Sequence, residues 1–190
     1  CNASPAGDSI LALYALDAQV ELTGKEMRAV PVDEFVVGPG QTVLAGDELV
    51  SAIAVPLEPT DVSLFRKVGT RKANALTKVS LAARASFDRE MGNGGIVDDI
   101  GIAVGASAPT IIRSREIEER IVGRSLREIG DMKEELIFLY EPLIRPIDDQ
   151  RSTASYRKRV AMNLLRLFFE EYLLAGGDRN GGPDTGAGGK

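Results

Sequence analysis

The sequence predicts an α+β protein in two pieces, the second of which combines a three-stranded antiparallel sheet with about three helices. Three observations lead to this prediction. Helical and strand-like segments are mixed in the first third of the chain, three strand patterns then follow with short turns between them, and helical patterns occupy most of the remainder. Neighbouring strands joined by short turns are typical of an antiparallel meander.

The composition excludes several kinds of active site. The 190 residues include no His, so a Ser-His-Asp triad, a Cys-His pair and a His-ligated metal are excluded. The single Cys excludes an internal disulfide and a cysteine-ligated iron–sulfur cluster. We therefore predict no catalytic residue and no metal ligand, and any redox chemistry requires a bound organic cofactor.

Charge and hydropathy narrow the choice of partners. The net charge is −5, which argues against nucleic-acid binding. No apolar run approaches the roughly 20 residues of a membrane span. The start of the chain lacks the basic and apolar regions of a signal peptide. We therefore expect a cytoplasmic protein.

The first piece begins with a short helix and continues as strands. Apolar residues between positions 9 and 18 indicate the helix, and Asp8 is placed to cap it by accepting from a backbone N–H. Pro56 and Pro59 interrupt regular structure and give the best candidate domain boundary. The predicted strands of this piece are residues 19–22, 27–31 and 48–55.

The second piece contains the clearest strand. Residues 78–88 alternate, with apolar side chains from Val79 to Phe87 on one side and mostly polar side chains on the other. Apolar residues at three- and four-residue spacing indicate the helices that follow. The other predicted elements are strands at 65–70 and 100–106, helices at 114–122 and 126–143, and a last helix from a cap at Ser152 or Thr153 to Gly176.

Four stretches resemble one family in their order and spacing. They are residues 1–8 (CNASPAGD), residues 39–56, residues 65–80 (which begin FRKVGTRK and end KVS), and residues 146–157 before the last helix. Together they are similar to the FAD-binding (medium) subunit of molybdenum hydroxylases of the xanthine dehydrogenase and carbon monoxide dehydrogenase type, without its N-terminal part.

The resemblance implies an organisation and a role for the chain. Residues 1–58 are expected to form the C-terminal portion of a two-subdomain FAD-binding domain, residues 62–175 the flavoprotein C-terminal domain, and residues 176–190 a disordered Gly-rich tail. The implied role is to pass electrons from iron–sulfur clusters to FAD and on to NAD or another acceptor. The implied partners are a small subunit with 2Fe–2S clusters and a large molybdopterin subunit.

The resemblance also implies which residues contact FAD. Asp8 matches a family aspartate on the flavin nucleotide, Lys67 matches a lysine beside the isoalloxazine ring, and Val50 matches an apolar residue packed on the cofactor. Each has a simpler explanation as a helix cap, a solvated strand residue or a core residue, and residues 2–4 also suit a surface turn. The full implied set is Asn2, Ala3, Ser4, Asp8, Val50 and Lys67.

The family's glycine-rich loops, whose backbone N–H groups cradle the FAD pyrophosphate, have no match in the sequence. We therefore expect the isolated chain to bind FAD weakly or not at all. The alternative is a non-catalytic docking or scaffold remnant that no longer binds FAD. Flavin absorbance bands in the purified protein separate the two possibilities.

Overall fold

The structure of the protein, a computed structural model, describes residues 2–71, 75–88 and 95–176. Residues 177–190 of the predicted tail lie outside these ranges, so their disorder stays a prediction. The helices are α1 (Asp8–Ala15), α2 (Val32–Phe35), α3 (Arg115–Glu119), α4 (Leu126–Tyr140) and α5 (Ala154–Leu167), and α5 continues into a π-helical segment (Phe168–Leu173) and α6 (Leu174–Gly176). The strands are β1 (Gln19–Thr23), β2 (Met27–Pro31), β3 (Val36–Gly38), β4 (Gln41–Thr42), β5 (Leu49–Ala54), β6 (Val62–Val68), β7 (Val79–Asp88) and β8 (Ile96–Gly105).

The described strands form two three-stranded antiparallel sheets and one short hairpin, β3–β4. The first sheet has the order β2-β1-β5, with Val20 opposite both Val30 and Ile53. The second sheet has the order β6-β7-β8, with Leu81 opposite Arg66 and Val104. The predicted α+β class and the antiparallel meander of the second piece are therefore confirmed.

Two strands of the second sheet begin earlier than the alternation indicates. The strand β6 starts at Val62 rather than at residue 65, and β8 starts at Ile96 rather than at residue 100. Both extensions pair with the far end of β7, where Val62 lies opposite Ala85. A long central strand can hold neighbours whose own pattern is too weak to predict a strand, because cross-strand pairing stabilises them.

The central strand β7 is buried on both faces, from Val79 to Phe87. One face, which includes Leu81, packs against the helices that follow the sheet. The other face, which includes Ala82 and Arg84, lies under α1. The alternation predicted from the sequence is thus correct, but its polar side is covered by the first piece of the chain instead of facing solvent.

The helices over the second sheet begin at residues suited to capping. Ser125 and Glu128 form a capping box at the start of α4. Of the two predicted caps for the last helix, Thr153 is the one that accepts a bond from the Tyr156 N–H. The helix α4 ends at Tyr140, before the predicted residue 143.

The last helix is not regular throughout, which the sequence did not predict. After Leu167 it widens into a π-helical segment that contains Phe168 and Phe169. Both rings are fully buried and meet edge to face, with 5.9 Å between their centroids. This segment closes the core of the second sheet.

Helix α1 lies at close range across β7 and β8, and two glycines of β8 permit the approach. A Cβ on Gly105 would lie 2.5 Å from the Ser80 hydroxyl oxygen and 3.1 Å from the Pro5 carbonyl oxygen. A Cβ on Gly101 would overlap the carbonyl oxygen of Ala15. The missing side chains therefore set the distance between the helix and the sheet.

The substitution Gly101→Ala should lower the free energy of unfolding by about 1–3 kcal/mol, because the end of α1 has to move away from the new methyl group. Gly46→Ala is the matched control, since a Cβ at Gly46 would meet nothing within 4 Å. Denaturant unfolding of both variants measures the difference. Equal stability of the two variants would contradict the close packing of α1.

Limited proteolysis should cut first between residues 56 and 61, where every residue is exposed. The two fragments should nevertheless stay together under native conditions, because α1 is buried against the second sheet. Native and denaturing electrophoresis of the cut protein distinguish these outcomes. First cleavage within residues 79–88, or fragments that separate without denaturant, would contradict this arrangement.

Candidate functional site

The carboxylate of Asp8 binds two side chains of the second sheet region. Its Oδ2 accepts from the Lys67 Nζ at 2.6 Å, and its Oδ1 accepts from the Thr77 hydroxyl at 3.2 Å. The predicted helix cap at Asp8 is therefore wrong. Gly7 is the N-cap residue and provides no side-chain bond, and Asp8 is the first residue of α1. A carboxylate in the first turn still interacts favourably with the helix dipole.

These three residues, Asp8, Lys67 and Thr77, form what we call the Asp8 cluster. Thr77 is buried, whereas the Asp8 and Lys67 side chains are 46% and 28% exposed. The ion pair is thus partly open to solvent, which weakens it as a source of stability. The same openness leaves both charged groups within reach of a bound molecule.

The segment that precedes α1 is fixed from two sides. The Ala3 carbonyl accepts from the Gly40 N–H at 3.2 Å, and the Pro5 carbonyl accepts from the Ala106 N–H at 2.7 Å. Ala3 is buried and adopts a left-handed backbone with φ 40°. Such a conformation costs on the order of 1–3 kcal/mol in a residue with a Cβ and persists only when neighbouring groups enforce it.

The turn that holds Ala3 has the sequence Gly38-Pro39-Gly40-Gln41 and joins β3 to β4. Gly40 has φ 69° and follows a proline, the arrangement of a type II turn. The predicted site residues Asn2 and Ser4 flank Ala3 and are exposed. Asn2 and Ser4 are therefore open to solvent on either side of the buried, hydrogen-bonded Ala3.

The predicted site residue Val50 lies apart from this region, on the edge strand β5 of the first sheet. It pairs with the buried Leu22 but is itself 41% exposed. Residues directly opposite each other in an antiparallel pair share a face, so Val50 lies on the same face of the first sheet as Leu22. The simpler explanation of Val50 as a core residue is therefore wrong, because the side chain is exposed.

The far end of α1 is held by a buried cluster of charges. Arg84 donates through Nε to the Ala15 carbonyl at 2.8 Å and through Nη2 to Asp17 at 2.8 Å. Arg113 donates to Asp17 at 2.9 Å and also to the Tyr14 carbonyl. The Arg84 and Arg113 side chains are only 7% and 2% exposed. We call Asp17, Arg84 and Arg113 the arginine clamp.

Asp17 also ends the helix. Its N–H donates to the Tyr14 carbonyl at 3.4 Å and the Ala18 N–H donates to the Leu13 carbonyl at 3.1 Å, the two bonds of a Schellman motif. Asp17 has φ 56°, a conformation in which glycine is usual. Its carboxylate, bound by Arg84 and Arg113, explains why an aspartate occupies this position.

The pKa values of the two carboxylates that Arg113 binds, Asp17 and Glu118, are shifted in opposite directions. Burial acts to raise the pKa of Asp17, but hydrogen bonds and charges from Arg113 and Arg115 outweigh it and hold that pKa below the ordinary 3.8. Burial raises the pKa of Glu118 above its ordinary value, although Arg113 binds both of its oxygens. The Asp17 carboxylate is therefore the stably ionised centre of the clamp.

Asp17 should contribute stability that is complete above pH 3.8 and is lost as the pH falls through its lowered folded-state pKa. The unfolded chain takes up the proton first, so acid favours unfolding. In Asp17→Asn the unfolding free energy should therefore fall less steeply below pH 4 than in the wild type, while exposed Asp131→Asn serves as the control. Unfolding curves at pH 2.5–5 measure this. The prediction fails if the unfolding free energies of the Asp17 and Asp131 variants fall equally steeply below pH 4.

Sequence reasoning missed Thr77, Gly40 and the clamp. Thr77 lies 69 positions from Asp8, and Arg113 lies 99 positions from the Tyr14 carbonyl that it binds. Helical periods and caps involve neighbours within a few residues, so they carry no signal for such partners. The left-handed Asp17 is the one member with a local signal, because Asp follows a helix where Gly is common.

Among the residues that the structure describes, none of the helices is long and apolar enough to cross a membrane. Within residues 2–71, 75–88 and 95–176, no three His, Cys, Asp or Glu side chains are grouped so that they could hold a metal ion.

Comparison with protein families agrees with this architecture. Residues 64–172 match the model of the CO dehydrogenase flavoprotein C-terminal domain. The chain belongs to this family. Residues 1–58 match a second model, the FAD binding domain in molybdopterin dehydrogenase. The resemblance to medium subunits of molybdenum hydroxylases is thereby confirmed.

Individual relatives have the same character. The chain is 30% identical over 172 residues to the glyceraldehyde dehydrogenase medium chain of Sulfolobus acidocaldarius, which covers 90% of this chain and 58% of the relative. It is 24% identical over 184 residues to the xanthine dehydrogenase FAD-binding subunit of Escherichia coli O157:H7. That match covers 94% of this chain and 60% of the relative. The chain thus spans about three-fifths of the length of the curated relatives that it matches.

A solved structure has the same fold. The reconstituted CO dehydrogenase from Oligotropha carboxidovorans matches with a TM-score of 0.77 and 25% identity, over 94% of this chain and 59% of that chain. Because the match extends over both sheets, the packing of α1 on the second sheet belongs to a known arrangement.

Proposed function

We propose that this chain contributes the flavin-contacting part of the FAD-binding subunit of a molybdenum hydroxylase. Residues 1–58 form the end of the FAD-binding domain in this proposal, and residues 62–175 form the flavoprotein C-terminal domain. The observation that carries it is the ion pair between Asp8 and Lys67. These two residues are 59 positions apart, each matches a family flavin contact, and their charged groups meet at 2.6 Å.

The described residues fit such a cofactor. The segment 2–4 presents backbone and short side chains beside the buried Ala3, and an accessible carboxylate and ammonium stand at the start of α1. A carboxylate accepts hydrogen bonds from sugar or ribityl hydroxyls, and an ammonium attracts negative charge. Val50 offers a partly exposed apolar contact on the first sheet. We assign Asn2, Ala3, Ser4, Asp8, Val50 and Lys67 to the FAD site in this proposal.

Bound FAD supplies the redox chemistry that the side chains of this protein lack. In our proposal electrons arrive from iron–sulfur clusters of a small partner subunit, which receive them from a large molybdopterin subunit. They leave for NAD or another acceptor. The residues of this chain position the flavin and set the charge around it, and none of them acts as an acid, a base or a nucleophile.

The Asp8 cluster sets that charge through a balance. The Lys67 ammonium stabilises negative charge on a reduced ring, and the Asp8 carboxylate offsets it. Thr77 holds the other Asp8 oxygen and so fixes which one faces Lys67. Removing either charge should therefore shift the flavin potential, in opposite directions.

In a subunit that is completed with a homologous N-terminal half and loaded with FAD, Lys67→Met should lower the flavin reduction potential and Asp8→Asn should raise it. A net electrostatic effect of about 1 kcal/mol corresponds to roughly 20 mV for a two-electron couple. Lys25→Met removes the same charge from the exposed turn between β1 and β2 and is the matched control. Potentiometric titration at full flavin occupancy measures the three shifts.

Opposite shifts at Asp8 and Lys67 with none at Lys25 would support the site. Shifts of the same sign at Asp8 and Lys67, or equal shifts at Lys67 and Lys25, would contradict the assignment of the Asp8 cluster to the flavin site. If the subunit completed with a homologous N-terminal half still binds no FAD, the docking or scaffold alternative is favoured.

A further inference from the structure

We propose that Asp17, Arg84 and Arg113 are positioning residues that set where Asp8 meets Lys67, acting through the rigid helix α1. The effect of this positioning on the flavin rests on the proposed function. The positioning itself can be measured in the chain without flavin. The clamp and the Asp8 cluster lie at opposite ends of the same helix. Each end is attached to the second sheet by side chains from different strands or loops.

The two ends of α1 are held very differently. At the C-terminal end, two buried guanidiniums bind the Asp17 carboxylate and the carbonyls of Tyr14 and Ala15. At the N-terminal end, a partly exposed ion pair and one hydroxyl hold the Asp8 side chain, and the Ala106 N–H holds the Pro5 carbonyl of the segment before it at 2.7 Å. Buried charge-assisted bonds are stronger than exposed ones, so the side chains of the clamp hold their end of α1 more firmly than the Asp8 cluster holds the other.

Because of the length of the helix, a small change of its angle at the clamp gives a large displacement of Asp8. Eight residues span ~12 Å, so a tilt of about 10° around the clamp moves Asp8 by about 2 Å. A displacement of that size breaks a hydrogen bond of 2.6 Å, since N–H···O bonds extend to about 3.2 Å. The close approach at Gly101 and Gly105 leaves α1 little room to compensate by sliding toward the sheet.

The clamp is also joined to the first sheet region through Arg115. Its guanidinium binds Asp17 and lies 3.1 Å from Asp33 of α2, and its side chain is 48% exposed. Arg115 is thus an accessible outer member of the same network. A substitution there loosens Asp17 without leaving a buried charge unpaired, which gives a milder test than a change in Arg84 or Arg113.

The test is a double-mutant cycle between Asp8→Asn and Lys67→Met, measured by denaturant unfolding of the full chain without flavin. In the wild-type background the coupling should change the unfolding equilibrium constant by about threefold, as for other exposed pairs. In the Asp17→Asn background the coupling should disappear. Asn tolerates the left-handed backbone of position 17, so the substitution removes the charge and keeps the helix end.

Two further backgrounds separate positioning from general destabilisation. Arg115→Gln should reduce the coupling and also decides the question if Asp17→Asn does not fold. Ile129→Val, a fully buried change in the core of the second sheet, should leave the coupling unchanged. A coupling that survives in both Asp17→Asn and Arg115→Gln would overturn the proposal, as would an equal loss in Ile129→Val.

FAD titration of the same variants, each in a subunit completed with a homologous N-terminal half, tests the consequence at the cofactor. Asp17→Asn and Asp8→Asn should weaken FAD binding by the same factor, and the double variant should be no weaker than either, because both act on one contact. Fully additive losses would overturn the action through Asp8. If no variant binds FAD, the proposed function fails, and the coupling in the flavin-free chain still decides whether the clamp positions Asp8.

Discussion

Two buried arginines attach α1 to the second sheet, and the way the two pieces of the chain pack together follows from this attachment. A guanidinium taken out of water must keep its hydrogen bonds, and Arg84 and Arg113 find theirs in the last carbonyls of α1 and in Asp17. The positive charges also suit the C-terminal end of a helix dipole. The first piece of the chain can leave the sheet only if these charge-assisted bonds to Asp17 and to the carbonyls of α1 break.

This attachment explains why the second sheet has two covered faces with different roles. One face packs against α4, α5 and the π-helical segment, where the largest apolar side chains are fully buried. The other face carries small residues, glycines and charges, and it receives α1 together with the segment that ends at Asp8. Stability comes mainly from the first face, and the second face positions the groups that we assign to the flavin.

The first sheet is covered unevenly by comparison. Val20 and Leu22 of β1 are buried, whereas Ile53 and Val50, directly opposite them on β5, are 49% and 41% exposed. The apolar face of the first sheet is therefore covered at β1 and open at its edge strand β5. This exposure makes Val50 available to a ligand.

Alternation, capping and composition are local properties, so the sequence was enough to predict the meander of the second piece, a cap at Ser152 or Thr153, and the lack of His and of a cysteine-ligated cluster. Resemblance to a family implied that Asp8 and Lys67 both contact the flavin. The structure brings these two residues into contact with each other. Three features became visible in the folded chain alone: Asp8 binds Lys67 and Thr77 instead of capping α1, the polar side of β7 is buried, and Asp17 joins two arginines. These partners lie 59 to 96 positions apart, and only the folded chain brings their charges together.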